Sequence, residues 1–89
     1  MKRKTALLLF VLAGAVAQQN FAQDKPVQYF RSAPAAQQHC PNDTVVWLNT
    51  RSGIYHFQGE RWFGTTKDGA YICRKDADRM GDRATRNGQ

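Results

Sequence analysis

Apolar residues fall into blocks of different character along this chain. Residues 6–17 form an uncharged apolar run, and Val45-Val46-Trp47-Leu48 form a second, shorter one. The second run is made of strand formers. It is bounded by Pro41-Asn42-Asp43 and by the turn-rich stretch 49–53, in which Gly53 can take φ > 0. A continuous apolar run of this length predicts a strand buried on both faces. Ile54-Tyr55-His56-Phe57 predicts a second strand, and Gln58-Gly59-Glu60-Arg61 a turn. Trp62-Phe63 and Ala70-Tyr71-Ile72 then suggest a short hairpin closed through Asp68-Gly69, a dipeptide suited to a tight turn. The period lengthens after Cys73. Residues 74–80 suit a helix of about two turns, with Gly81 placed as a C-cap glycine. Ala77 and Met80 are spaced to face the sheet together, leaving Arg74, Asp78 and Arg79 in water. The fold class expected is α+β: a small β-meander of three or four strands with one short C-terminal helix.

The first apolar block has another meaning. Lys2, Arg3 and Lys4 precede it, and small residues follow it. This is the pattern of an export signal over residues 1–22. Ala15-Val16-Ala17 fits the small-x-small rule, giving a cut after Ala17. Asn20-Phe21-Ala22 gives a more usual leader length and a cut after Ala22. The apolar run is about 12 residues, whereas a membrane span needs about 20. A stable transmembrane segment in the mature chain is therefore not expected, and the localisation expected is periplasmic or secreted. Residues 23–39 read as a flexible linker. They contain Pro26, Pro34 and the low-complexity run Ala33-Pro34-Ala35-Ala36-Gln37-Gln38. Residues 40–83 read as one small folded domain and 84–89 as a disordered tail.

Charge changes the picture only slightly. The chain of 89 residues has a formal charge of +6, but removal of Lys2, Arg3 and Lys4 with the leader lowers this to +3. Five basic residues, Arg74, Lys75, Arg79, Arg83 and Arg86, are interleaved with Asp76, Asp78 and Asp82. Mixed signs of this kind describe a solvated face with local ion pairs. A nucleic-acid track calls for a more continuous basic stripe.

Cysteine usage says more. Cys40 and Cys73 are the only cysteines, so one intramolecular pairing exists. In an exported domain this small, a disulfide between them is the expected covalent staple. An intermolecular bridge and two free thiols are the alternatives. Two cysteines with His39 and His56 do not have zinc-site spacing, and no metal site or cofactor is expected. His39 adjoins Cys40 and can lower a thiol's pKa, but a bridged cysteine is not a nucleophile. There is no Cys-x-x-Cys motif.

Among candidate site residues, His56 stands out because imidazole titrates near neutrality. A structural histidine bonding the backbone is the alternative. Asp43, Glu60 and Asp68 are its candidate helpers, and none stands at a spacing that specifies a triad. Trp47, Tyr55, Phe57, Trp62, Phe63 and Tyr71 are a heavy aromatic load. Some must fill the core. Others, set beside Arg51, Arg61 and Lys67, can stack on bases or sugars. Arg51, His56, Arg61, Trp62 and Lys67 are therefore the candidate binding residues, and no catalytic set is assigned.

Three segments carry a family resemblance. They are Val45-Val46-Trp47-x-Asn49-Thr50-x-Ser52-Gly53-x-Tyr55-His56, Trp62-Phe63-Gly64-x-Thr66-Lys67-x-Gly69-x-Tyr71-x-Cys73, and Asp76-Ala77 with Gly81-x-Arg83. Together they resemble a group of short, exported, uncharacterised bacterial proteins. The resemblance implies a shared fold and export. A more distant likeness is to the small metal-binding module of Ada-type DNA repair proteins, also appended to some nucleases. Tyr55-His56 and Gly81-Asp82-Arg83 match that module, but Glu60 and Thr85 stand where its cysteines belong. That likeness implies a common fold without the module's metal ligands. The function expected is a non-enzymatic exported domain, an interaction or envelope accessory module. Its partner is unknown, an envelope protein or an anionic polymer being the candidates. The alternatives are a nucleic-acid-binding or nuclease-associated module and an enzyme using His56.

Overall fold

The computed structural model describes residues 26–89. The expected leader, both of its cut sites and residues 23–25 lie outside the described residues. The elements are α1 (Ala33–His39), β1 (Val45–Asn49), β2 (Ile54–His56), β3 (Ala70–Cys73), α2 (Arg74–Arg79) and β4 (Arg83–Ala84). The fold is a small α+β domain with a short helix near the C-terminus, as the sequence predicts, but its four-stranded sheet is mixed. No helix of the described residues is long and apolar enough to cross a membrane.

The strand order is β3-β1-β2-β4, not the sequential order of a meander. β1 lies at the centre, antiparallel to both β2 and β3, while β4 runs parallel to β2. Each of Val45, Val46, Trp47 and Leu48 is buried, which is what a covered central strand requires. Side chains alternate across the sheet. Val46 and Leu48 therefore share one face with Tyr55 and Ile72. Ala77 of α2 packs there, with Val27, Phe57 and Ala84 at the margin. Val45, Trp47 and Asn49 point to the other face, in register with Cys73, Tyr71, His56 and Ile54.

Three segments differ from expectation. Residues 84–89, expected as a disordered tail, begin in β4 and are tied to the sheet and loop by Thr85 N donating to Tyr55 O and Trp62 N donating to Gln89 O. Trp62 and Phe63 are not a strand; they lie in successive turns. Glu60 N donates to Phe57 O, Phe63 N to Glu60 O and Thr65 N to Trp62 O. Gly59 and Gly64 hold φ of 93° and 73°, which bends the chain away from a strand path. β3 consequently pairs with β1. Residues 33–39, expected within the linker, form α1. Ser32 caps it by accepting a hydrogen bond from Ala35 N at 3.2 Å, with Pro34 in the first turn. Ala36 is fully buried, and Cys40 at the helix end is bonded to Cys73. Phe30 exchanges two 2.9 Å backbone hydrogen bonds with Tyr71, closing part of the outer edge of β3.

α2 begins immediately after β3. Its first amides are satisfied from outside the helix, Arg74 N by Thr44 O at 2.8 Å and Lys75 N by Asp43 Oδ2 at 3.0 Å. Ala77 is fully buried but Met80 is 49% exposed. Met80 falls past the last helical residue and contacts the Tyr29 hydroxyl instead of the sheet. Arg74–Asp78 and Arg79–Asp76 ion pairs line the wet side.

Candidate functional site

The second sheet face is covered unevenly. At the Val45–Cys73 end α1 is tied down by the disulfide. In the middle, Trp47 is roofed by the 58–69 loop. Its indole Nε1 donates to Thr66 Oγ1 at 2.7 Å, and Thr66 Oγ1 in turn donates to Asp68 O at 2.8 Å. Tyr71 stands edge-on to Trp47 with centroids 4.8 Å apart, and Phe63 lies 5.5 Å from Tyr71. Gly69 passes so close that a Cβ there would sit 2.6 Å from Trp47 Cε2 and 2.9 Å from Leu48 O. Aromatic packing thus anchors the loop to the sheet.

Beyond Trp47 the face is open. Asn49, Ile54 and His56 form the floor of a cleft of about 530 Å³. The loop supplies one wall through Trp62, Thr65, Thr66 and Lys67, and the C-terminal segment supplies the other through Thr85, Asn87 and Gln89. Both walls are fixed. Arg83 N donates to Gly53 O and Thr85 N to Tyr55 O, each at 3.0 Å, laying the segment along β2. Trp62 N donates to Gln89 O at 2.7 Å, joining the two walls. Thr85 Oγ1, Asn87 and Gln89 are linked by their own hydrogen bonds.

Of the candidate residues, the fold brings His56, Trp62 and Lys67 into this cleft. Arg51 and Arg61 do not line it. Arg51 pairs with Asp68 at 3.7 Å, and the Arg61 guanidinium stacks 4.8 Å above the Trp62 ring. Trp62 is 39% exposed, whereas His56 is only 6% exposed. His56 Nδ1 is buried and has no hydrogen-bond partner. Its candidate helpers are engaged elsewhere. Glu60 accepts from Phe57 N at 2.7 Å, Asp43 accepts from Thr44 N and Lys75 N, and Asp68 faces Arg51. Among the described residues, no Asp or Glu side chain lines the cleft. Lys67 and Arg61 form no ion pair among the described residues.

No protein-family model, curated protein or solved structure matches this chain. The site is therefore characterised by its own chemistry: an exposed indole, an ammonium without an ion pair among the described residues, a nearly buried imidazole, and amides and hydroxyls. The tail wall was not legible in the sequence. Its polar residues have no periodicity, and Arg83-Ala84 is too short a strand to leave a pattern.

The opposite pole carries the Cys40–Cys73 bridge, with Cα atoms 6.3 Å apart. His39 and Asp76 approach Cys73, and Asp43 approaches both sulfurs. Each of these groupings uses a disulfide sulfur, which is not the thiolate that binds metal. Behind the sheet, the Tyr55 hydroxyl donates to Asp78 Oδ1 at 2.5 Å. Burial, then this bond to Asp78, holds the Tyr55 pKa above its ordinary value. Asp82 has a buried Oδ2 without a partner. Burial, and then repulsion from Asp78, raises its carboxyl pKa.

Proposed function

We propose that this chain is an exported, non-enzymatic binding module whose ligand enters the cleft between β2, the 58–69 loop and the C-terminal segment. The observation that carries this is the convergence of Trp62, Lys67 and His56 in one open cleft with fixed walls. Exposed aromatic surface, tryptophan above all, is enriched at recognition surfaces. With Asp43, Glu60 and Asp68 engaged elsewhere, His56 has no Asp or Glu helper among the described residues, which favours binding over acid–base chemistry. The disulfide supports an oxidising compartment outside the cytoplasm, and an envelope component is the partner class this reading favours.

The test is a spectrum of the ¹⁵N-labelled mature protein with clarified envelope extract. Signals from Ile54, Trp62, Thr65 and Lys67 are expected to shift together. W62A is expected to weaken the response roughly tenfold, as loss of an aromatic anchor does. Shifts confined to the α1 pole, or an unchanged response in W62A, refute the assignment of this cleft.

A further inference from the structure

Resting on that reading, we infer that the ligand is a carboxylate-bearing saccharide. The cleft has the complementary parts. A sugar ring presents an apolar face, and Trp62 supplies an exposed aromatic surface at the cleft wall. Sugar hydroxyls both donate and accept, and the lining is rich in groups that do the same: Asn49, Thr65, Thr85, Asn87 and Gln89. Lys67 supplies one ammonium with no protein carboxylate against it among the described residues. Arg61, held on the Trp62 ring, adds positive charge at the rim. The acid group of a uronate answers this charge, and a neutral saccharide leaves it unmatched.

The same inventory disfavours nucleic acid. Affinity for a phosphate chain comes from many cations in a row. Here Arg51 faces Asp68, Arg74 faces Asp78 and Arg79 faces Asp76. Of the cations without an ion pair among the described residues, Lys67 lines the cleft and Arg61 stands at its rim on Trp62, while Arg31, Lys75, Arg83 and Arg86 are not among the lining residues. A small, mostly neutral hydrogen-bonding site with one or two charges suits a single uronate better than a strand of phosphates.

The experiment titrates the labelled mature protein with short galacturonate oligomers, their methyl esters, and an oligothymidylate. The acid form is expected to shift Trp62, Thr65 and Lys67 signals. The methyl ester is expected to bind about tenfold more weakly, the usual loss when a charged hydrogen bond becomes neutral. K67A should erase the difference between acid and ester, and W62A should weaken both alike. Lys67 is exposed, so K67A is expected to keep the wild-type circular dichroism. Equal binding of acid and ester by the wild type overturns the inference, as does tighter binding of oligothymidylate at low salt. If no oligomer shifts the cleft while envelope extract still does, the saccharide assignment falls and the binding site stands. If neither shifts it, both fall.

Discussion

Gly69 offers a sharp test of how the loop is anchored. A methyl group added there would lie 2.6 Å from Trp47 Cε2 and 2.9 Å from Leu48 O, with Trp47 Cζ2 closer still. Ordinary contact begins at 3.4 Å, so relief needs a displacement of roughly 1 Å in a packed region. Neither neighbour is free to give. Leu48 O belongs to the central strand, and Trp47 is held by Thr66 and Tyr71. Gly69 is not in the positive-φ region, so the cost of Gly69→Ala is steric, not conformational. Overpacking costs about 1–3 kcal/mol. Reduced freedom of the unfolded chain returns about 0.4–1 kcal/mol. The net loss is about 1–2 kcal/mol, or a fall in Tm of about 5–15 °C for a domain of this size. Thermal unfolding followed by far-UV circular dichroism measures it. The double variant W47F/G69A removes the indole atoms nearest the new methyl group. Its loss is expected to be smaller than the sum of the two single losses, because the clash is counted only once. A G69A protein as stable as wild type, or strictly additive losses in the double variant, refutes the steric anchoring of the loop.

Two further outcomes concern stability. Replacing both Cys40 and Cys73 with Ser opens a loop with a sequence separation of 33, at a cost of about 4 kcal/mol in the chain-entropy treatment. Urea unfolding should show this as a lower midpoint, and wild type in excess reductant should match the variant. A loss below about 1 kcal/mol would mean that the bridge contributes little. Asp82 predicts a pH signature. Its folded pKa is raised above the unfolded value of about 3.9, so folding favours the protonated form. That contribution is full below the unfolded pKa and is lost as pH rises through the folded pKa. D82N should therefore be more stable than wild type at pH 7, with the advantage shrinking toward pH 3. An advantage that does not change with pH, or none at all, contradicts the burial of an unpartnered carboxylate.

Local sequence determined the pieces that depend on local physics. The Val45–Leu48 run marks a strand buried on both faces, because only a covered strand can be apolar at successive positions. The change of period after Cys73 marks α2, and a lone cysteine pair marks the bridge. Ser32 and Pro34 start α1 in the structure, whereas the low-complexity composition around them reads as linker. Tertiary structure alone decided which strands became neighbours. Antiparallel pairing of β3 with β1 requires the 58–69 loop to cross the sheet face, and that path is set by the Trp47, Tyr71 and Gly69 contacts. The same crossing decided the site. His56, Trp62 and Lys67 were visible as candidates, but nothing in their spacing indicated that a polar C-terminal segment would form the facing wall. That wall depends on backbone hydrogen bonds to β2 and to Trp62 N, and main-chain pairing between distant segments leaves little trace in side-chain pattern.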